Sequence, residues 1–317
     1  MATHTASRMT FDPVSTAALG LGLDAGGTQT RWALAWADGS VVAEGQAAGF
    51  SGLQLADANG REDIAQALRA VAGAAAGHGR IVAACAGITG FDGDDGAPLA
   101  TVMAQVFALE ARRVRLFNDV ELACRAAFAP GQGYLVYAGT GSIAAFVDAQ
   151  QQLHRAGGRG GLIDDGGSGY WIAREALRRV WRAEDEAPGA WRDSILAKAV
   201  FDAVGGSDWA FTRRHVYGAS RGQFGKLALT VAAVAERDQA AKSILIDAGH
   251  ELARLGTALV QRHGARPVRL AGRVFALNPC IEAALREAMP ATSRITSPGE
   301  LAPHHCAARL ALKDILA

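Results

Sequence analysis

Two stretches of this chain share one pattern: a strand, a glycine turn, a second strand, a further turn and a third strand. The first covers residues 19–48 and turns at Ala25–Thr28, and the second covers residues 134–156 and turns at Gly139–Ser142. An Asp-Gly pair between apolar runs, as at Asp38, is a strong hairpin signal. Two like halves with matching glycine turns predict a duplicated domain with a central cleft between the copies.

The rest of the chain alternates helices with strands, which is typical of an α/β sheet. Apolar residues at helical spacing predict an amphipathic helix over Arg61–His78. The next predicted elements are the strand Ile81–Ile88, the helix Pro98–Leu109 and the strand Val114–Asn118. Further along, helices are predicted over Tyr170–Arg182, Trp191–Val204, Asp208–Tyr217, Gly222–Glu236, Ala240–His263, Val274–Ala288 and Ala302–Ile315, with strands over Val268–Gly272 and Arg294–Thr296.

We therefore predict an α/β fold of two domains. A tail of residues 1–17 precedes a first domain of residues 18–118 plus 300–317, and the second domain covers residues 119–299. The boundary follows the strand Val114–Asn118 because no low-complexity linker interrupts the chain.

The composition excludes several classes of protein. The 317 residues carry 32 basic and 31 acidic side chains, so no strong field attracts nucleic acid. No apolar run approaches the ~18 residues of a membrane span, and Asp12 and Pro13 break any signal-peptide pattern at the start. The four cysteines form no Cys-x-x-Cys pair, which favours reduced thiols and a cytoplasmic protein.

Both glycine turns have the composition of a phosphate-binding loop. Glycines expose backbone N–H groups and leave no Cβ in the way of a phosphate, and a hydroxyl adds a donor. Asp24, at the carboxyl end of its strand, would face Mg²⁺ or its waters. Each turn taken alone is equally compatible with a tight hairpin that binds nothing. The candidate phosphate-binding residues are Gly26, Gly27, Thr28, Gly139, Thr140, Gly141 and Ser142.

Asn118 and Asp119 end one predicted strand and open a helix. The Asp119 carboxylate could be a general base that takes a proton from a hydroxyl nucleophile. The alternative is that it caps the helix N-terminus.

Two further glycine-rich segments are candidate sites. The stretch Gly157–Trp171 is too rich in glycine for a regular element, and Asp164 and Asp165 within it could accept hydrogen bonds from substrate hydroxyls. A surface linker is the alternative for this loop. A later strand ends at Gly272, where a flat base such as adenine could lie against the backbone, or the glycine could form only a strand–helix turn.

In their order and spacing, these motifs resemble the sugar kinase/Hsp70/actin superfamily, and within it the BadF/BadG/BcrA/BcrD-type ATPase family with its N-acetylglucosamine and glucosamine kinases. The resemblance implies two ribonuclease-H-like (actin-like ATPase) domains, ATP and Mg²⁺, a small-molecule amino sugar and a homodimer. It also implies that Asp119 is the base for the sugar 6-hydroxyl, that Asp24 acts on the metal and that Gly272 lies near adenosine. The sugar-binding residues that it implies are Ser51, Asn118, Asp119, Gly158, Arg159 and Asp165.

The chain departs from the animal-type kinases in its sugar-binding motif. Arg159 replaces a tryptophan, Asp164 begins an altered acidic segment, and Ser51 stands where an asparagine contacts the sugar. These departures leave N-acetylglucosamine and glucosamine both open. Glucosamine is slightly preferred because carboxylates in the motif would attract its cationic amino group. Two alternative functions would each need a feature of their own. An ATPase activator of a radical dehydratase or reductase would need cluster-binding cysteines, and a sugar-binding repressor would need an N-terminal helix-turn-helix.

Overall fold

The computed structural model describes residues 18–93 and 96–313. The predicted tail over residues 1–17 lies outside the described residues. The described residues divide into two compact units, one of residues 18–93, 96–126 and 302–313 and the other of residues 127–301. None of the helices within the described ranges combines the length and the apolar character that crossing a bilayer requires.

The first unit is built on a five-stranded sheet. Its strands are β1 (Ala18–Ala25), β2 (Gln29–Ala35), β3 (Val41–Ala48), β4 (Arg80–Ile88) and β5 (Val114–Asn118). Its helices are α1 (Ala58–Ala75), α2 (Gly96–Val106), α3 (Asp119–Ala127) and α11 (Pro303–Lys313). The strand order is β3-β2-β1-β4-β5. The first three strands are antiparallel, and β4 and β5 run parallel to β1.

The second unit repeats this topology. Its strands are β6 (Tyr134–Ala138), β7 (Ser142–Val147), β8 (Leu153–Gly157), β9 (Val268–Ala271) and β10 (Ile295–Thr296). The order β8-β7-β6-β9-β10 again joins an antiparallel three-strand meander to two parallel strands. Its helices are α4 (Gly169–Glu186), α5 (Ile195–Val204), α6 (Trp209–Gly218), α7 (Arg221–Phe224), α8 (Leu227–Val234), α9 (Gln239–His263) and α10 (Pro279–Ala288). The predicted α/β class and the duplication are confirmed.

The two faces of the first sheet are covered by different helices. Leu19, Leu21 and Leu23 of β1 pack with α1 and α2 on one face. On the other face, Gly20 and Gly22 let α11 lie directly on the strand: a Cβ at Gly22 would be 2.0 Å from the His304 carbonyl oxygen. The strand that carries Asp24 is thereby held between two helical layers.

Helix α3 belongs to the first unit by its contacts. Leu122 packs with Cys85 of β4 and Ala307 of α11, and a Cβ at Gly87 would be 2.6 Å from Leu122. The unit boundary therefore follows Ala126, whereas the sequence prediction puts it before Asp119. The predicted and observed boundaries differ because α3 makes hydrophobic contacts with β4 and α11, which are distant from it in the sequence.

Several predicted helices are interrupted. The predicted helix Val274–Ala288 is a short 3₁₀ turn followed by α10, because Asn278 caps the new helix and Pro279 occupies its first turn. The prediction Trp191–Val204 divides in the same way at Ser194, which caps α5. The prediction Gly222–Glu236 separates into α7 and α8 around Gly225.

Candidate functional site

The first glycine turn leaves its backbone donors free. Within the turn, Gly26 N–H donates to the Gln29 carbonyl at 3.0 Å. The N–H groups of Gly27 and Thr28 donate to no other group among the described residues, and both residues are exposed. A Cβ at Gly27 would meet nothing within 4 Å, and its φ is not positive. Neither backbone strain nor local packing thus requires a glycine at position 27. The approach of an anion to the free N–H groups would require one, because a side chain could block it.

Asp24 and Asp119 form a pair of partly buried carboxylates at the carboxyl ends of β1 and β5. Burial, and then the negative charge of Asp119, raise the pKa of Asp24 to about 6, against a smaller opposite effect of Arg31. Burial also raises the pKa of Asp119, although hydrogen bonds from Thr89 and from backbone N–H groups oppose it. Two carboxylates this close repel each other, and a cation beside them would relieve that repulsion.

The first turn of helix α3 is capped by Asn118 together with Asp119. The Asn118 Oδ1 accepts a hydrogen bond from Val120 N at 3.0 Å, and its Nδ2 donates to the Phe91 carbonyl at 2.8 Å. Asp119 is the first residue of α3, and its Oδ1 lies 2.8 Å from the same Val120 N. The Val120 N–H therefore donates to both side chains, so Asn118 shares the capping that the sequence left open for Asp119, and the Asn118 amide is occupied by the fold.

Thr89 joins the predicted residues of the first unit to one another, and sequence reasoning missed it. Its side chain hydrogen-bonds to Asp119, its N–H donates to the Ala25 carbonyl at 2.9 Å, and its carbonyl accepts from Ser51 Oγ at 3.1 Å. Ser51 also caps the short 3₁₀ helix Gly52–Ala56 through Leu53 N. The Thr-Gly pair that directly follows a buried strand was the available signal.

The second glycine turn is built like the first. Gly139 N–H donates to the Gly141 carbonyl at 2.8 Å, while the N–H groups of Thr140 and Gly141 have no partner among the described residues. Ser142 is buried, and its Oγ donates to the Gly166 carbonyl at 2.7 Å. The Ser142 hydroxyl proton is therefore engaged by the glycine loop, and the backbone N–H groups of Thr140 and Gly141 remain as donors.

The glycine loop between β8 and α4 is folded onto this turn. At its end, the N–H groups of Gly169 and Tyr170 donate to the Gly139 and Thr140 carbonyls at 2.9 and 3.2 Å. Gly158, at its start, has φ +66°, and a Cβ there would be 2.6 Å from Ile143. These contacts make the loop a shaped element of the second unit, unlike a surface linker.

Both acidic residues of the loop are paired with arginines that the sequence did not suggest. Asp165 is 1% exposed, forms an ion pair with Arg221 and accepts from Gly160 N at 3.2 Å. Asp164 pairs with Arg254 at 2.9 Å. Arg159 is exposed and has no partner among the described residues. The loop thus presents ion-paired carboxylates together with a free guanidinium.

Arg221 and Asp165 also lie against the second glycine turn. A Cβ at Gly141 would be 2.5 Å from Arg221 Nη2 and 2.9 Å from Asp165 Oδ2. A side chain at this position would displace the ion pair, which occupies the space next to Gly141. The pair consequently connects the candidate phosphate-binding turn to the candidate sugar-binding loop.

The fold itself explains why residue 272 is a glycine. Its φ is +102°, and a Cβ would be 2.2 Å from the Ala138 carbonyl oxygen, because Gly272 follows β9 directly beside the end of the parallel strand β6. The turn at Gly272 accounts for the glycine fully, and contact with adenosine stays a prediction.

The ionisation of Asp24 is expected to make the metal-free protein less stable as the pH rises. Folded Asp24 holds its proton up to about pH 6 and the unfolded chain only to about 3.8, so stability is lost between these values and not regained above them. The loss is about 3 kcal/mol. In urea unfolding with a chelator present, the advantage of Asp24→Asn over the unaltered protein should grow from pH 4 to pH 7. An advantage that does not change with pH would contradict this.

Relatives of this chain are found in sequence and in structure. The sequence model of the BadF/BadG/BcrA/BcrD ATPase family matches residues 21–298. A protein of Clostridium acetobutylicum named N-acetylmuramic acid/N-acetylglucosamine kinase is 24% identical over 242 residues, which are 73% of this chain and 76% of that protein.

The fold is shared with solved structures. A candidate N-acetylglucosamine kinase from Chromobacterium violaceum is 26% identical with a TM-score of 0.70, over 95% of this chain and 100% of that one. A ROK family glucokinase from Streptomyces griseus, solved with glucose and AMPPNP, is 17% identical with a TM-score of 0.56, over 92% and 98% of the two chains. The predicted pair of ribonuclease-H-like domains is confirmed by this likeness together with the repeated sheet topology.

Proposed function

Because the chain belongs to the BadF/BadG/BcrA/BcrD ATPase family, we propose that it is an ATP-dependent sugar kinase. The proposed reaction transfers the γ-phosphoryl group of ATP to the 6-hydroxyl of a 2-amino-type hexose, with N-acetylglucosamine the favoured acceptor. The observation that carries the proposal is the partly buried, Thr89-bonded carboxylate of Asp119 beside Asp24. The names of the relatives from Clostridium acetobutylicum and Chromobacterium violaceum support the substrate class.

Asp119 is proposed as the general base. Burial raises the pKa of its carboxyl group, which makes the ionised form a better proton acceptor than an exposed aspartate. The hydrogen bond from Thr89 orients this carboxylate. In phosphoryl transfer, positioning and electrostatic stabilisation supply most of the rate, so a fixed orientation matters as much as basicity.

The two glycine turns are proposed to hold phosphate oxygens. Each turn has two successive backbone N–H groups without a partner among the described residues: those of Gly27 and Thr28, and those of Thr140 and Gly141. Oxyanions are bound well by such N–H groups. Mg²⁺ would be held by Asp24, directly or through water, and would neutralise charge on the phosphates.

The pairing of the loop carboxylates favours a neutral acceptor. A cationic 2-amino group gains from an unpaired carboxylate, but Asp165 and Asp164 are neutralised by Arg221 and Arg254. The exposed guanidinium of Arg159 would also repel an ammonium group. These charges favour N-acetylglucosamine over glucosamine, reversing the slight preference that the sequence suggested.

An ADP-release assay over a panel of sugars tests the proposed function. N-Acetylglucosamine, glucosamine, glucose and mannose are compared at equal ATP, and the position of the phosphate is read by NMR. The expected result is the highest kcat/KM for N-acetylglucosamine with phosphate on the 6-oxygen. Equal kcat/KM for all four sugars would contradict the amino-sugar proposal, and ADP release independent of any sugar would contradict the kinase.

Replacing Asp165 tests the sugar-binding loop. We expect Asp165→Ala to raise the sugar KM by an amount equivalent to about 1.5–3 kcal/mol, because the sugar would lose its proposed hydrogen bond to this charged carboxylate. Asp164→Ala, which removes the neighbouring ion pair, is the matched control and should change KM less. An increase confined to the KM for ATP would instead assign Asp165 to the phosphate-binding turn next to it.

The alternative, an ATPase activator of a radical enzyme, makes a different prediction. Burial raises the pKa of Cys85 and Cys124 to about 12, so neither thiol ionises readily. No cysteine belongs to a group of metal-ligating side chains within the described ranges. We expect the anaerobically purified protein to be colourless and free of iron. Stoichiometric iron that is lost on replacing Cys280 or Cys306 would favour the activator.

Homodimeric assembly and a cytoplasmic location stay predictions.

A further inference from the structure

Three side chains with metal-binding chemistry meet on one face of the first sheet. Glu44 lies in the edge strand β3, and His304 and His305 lie in the first turn of α11. The register explains the meeting. Glu44 is paired with Ala33 of β2, and Ala33 packs on Ala308 of α11, so Glu44 is on the sheet face that this helix covers.

The ligand atoms are spaced for a common ion. One nitrogen from each histidine and one Glu44 oxygen all lie within 4.8 Å of one another. His304 Nε2 is 3.5 Å from Glu44 Oε2, and His305 Nε2 is hydrogen-bonded to the same oxygen. Tetrahedral zinc with bonds of about 2.0–2.2 Å places its ligand atoms about 3.4 Å apart. His304 and Glu44 already have this spacing, whereas the His305 nitrogen is closer to the Glu44 oxygen and would have to move away from it to bind the same ion.

The protonation states also suit a metal. Burial and then the charge of His305 lower the pKa of His304 to about 4, against a smaller opposite effect of Glu44, so its imidazole is unprotonated at neutral pH. Metal binding needs a neutral imidazole and an ionised carboxylate, and the hydrogen bond from His305 lowers the pKa of Glu44. His304 is 7% exposed and its buried Nδ1 has no partner, while Glu44 is 58% exposed and gives the site access to solvent.

We propose that Glu44, His304 and His305 bind one divalent transition-metal ion of the zinc type, which links the edge strand β3 to helix α11. Two imidazoles and one carboxylate suit zinc, cobalt or nickel, whereas Mg²⁺ prefers oxygen ligands. Three protein ligands leave a coordination position for water. None of these residues belongs to the proposed catalytic or substrate-binding set, so the site is independent of the kinase proposal.

The site is tested on the full chain without a histidine tag and after stripping by a chelator. Zn²⁺ is titrated by calorimetry, and Co²⁺ is added separately because its visible absorption reports tetrahedral coordination. We expect one equivalent of Zn²⁺ to bind with a Kd of about one micromolar or tighter. Zn²⁺ should raise the Tm of the protein, and excess Mg²⁺ should not displace it.

Two ligand variants and one control decide the assignment. Glu44→Gln and His305→Gln alter partly exposed side chains, and each should weaken Zn²⁺ binding at least about tenfold and reduce the Zn²⁺-dependent rise in Tm. His78→Gln, which removes an exposed histidine of the same unit, should leave both unchanged. Absence of stoichiometric binding, or binding by both ligand variants as tight as that of the unaltered protein, would overturn the proposal and leave a histidine–glutamate ion pair. Far-UV circular dichroism checks that each variant is folded.

Discussion

Asp119→Asn is expected to lower kcat by about 10²–10⁴-fold while leaving the affinity for ATP nearly unchanged. The amide keeps the shape of the side chain and can still bond with Thr89 and Val120 N, but it cannot accept the proton of the sugar hydroxyl. Because Asn118 also accepts a hydrogen bond from Val120 N, the substitution should not unfold helix α3. The measurement is steady-state ADP release at saturating sugar and ATP, with nucleotide affinity from calorimetry.

A matched control separates chemistry from charge. Asp63→Asn removes an exposed carboxylate on α1 of the same unit and should leave kcat within about twofold of the unaltered protein. If Asp119→Asn keeps more than a third of kcat, Asp119 is not the base. A large loss of ATP affinity in Asp119→Asn would instead indicate that this carboxylate acts on the metal with Asp24.

The repeated sheet could be predicted because its signals are local. Glycine turns at 25–28 and 139–142 each interrupt a pair of short apolar strands, and this pattern alone indicates a meander. The order of the parallel strands β4, β5, β9 and β10 follows from contacts between distant segments, which no window of sequence contains. Helix α3 shows the same limit, since packing of Leu122 against Cys85 and Ala307 assigns it to the first unit.

The candidate site was predictable at residues whose type and position in the sequence are typical of a functional site. Asp24, Asp119 and the glycines stand at strand ends, where chemistry is commonly placed in α/β sheets. Thr89, Arg221 and Arg254 were missed because their roles depend on pairing across 30 to 90 residues of chain. Arg221 changes the interpretation most, since it converts Asp165 from a free carboxylate into half of an ion pair.

Gly22→Ala is expected to destabilise the first unit by about 3 kcal/mol or more, because helix α11 leaves no room for a side chain. A Cβ at Gly22 would lie 2.0 Å from the His304 carbonyl oxygen and 2.2 Å from Ala308 N. Both are backbone atoms, so no side-chain rotation relieves the clash and the helix must move. Urea unfolding gives the loss of stability. Labelling of Cys85, which is fully buried and packs with Ala307 of α11, reports displacement of the helix.

Gly73→Ala is the control that isolates the close approach of strand and helix. Gly73 lies inside α1, a Cβ there would meet nothing within 4 Å, and alanine should stabilise the helix by about 0.5–1 kcal/mol. Both substitutions restrict the unfolded chain in the same way, so that contribution cancels between them. The expected result is opposite shifts in the urea midpoint, with faster Cys85 labelling only in Gly22→Ala. Equal shifts in the two variants would mean that α11 does not lie against β1, and β1 would then lack the support that holds Asp24 in place.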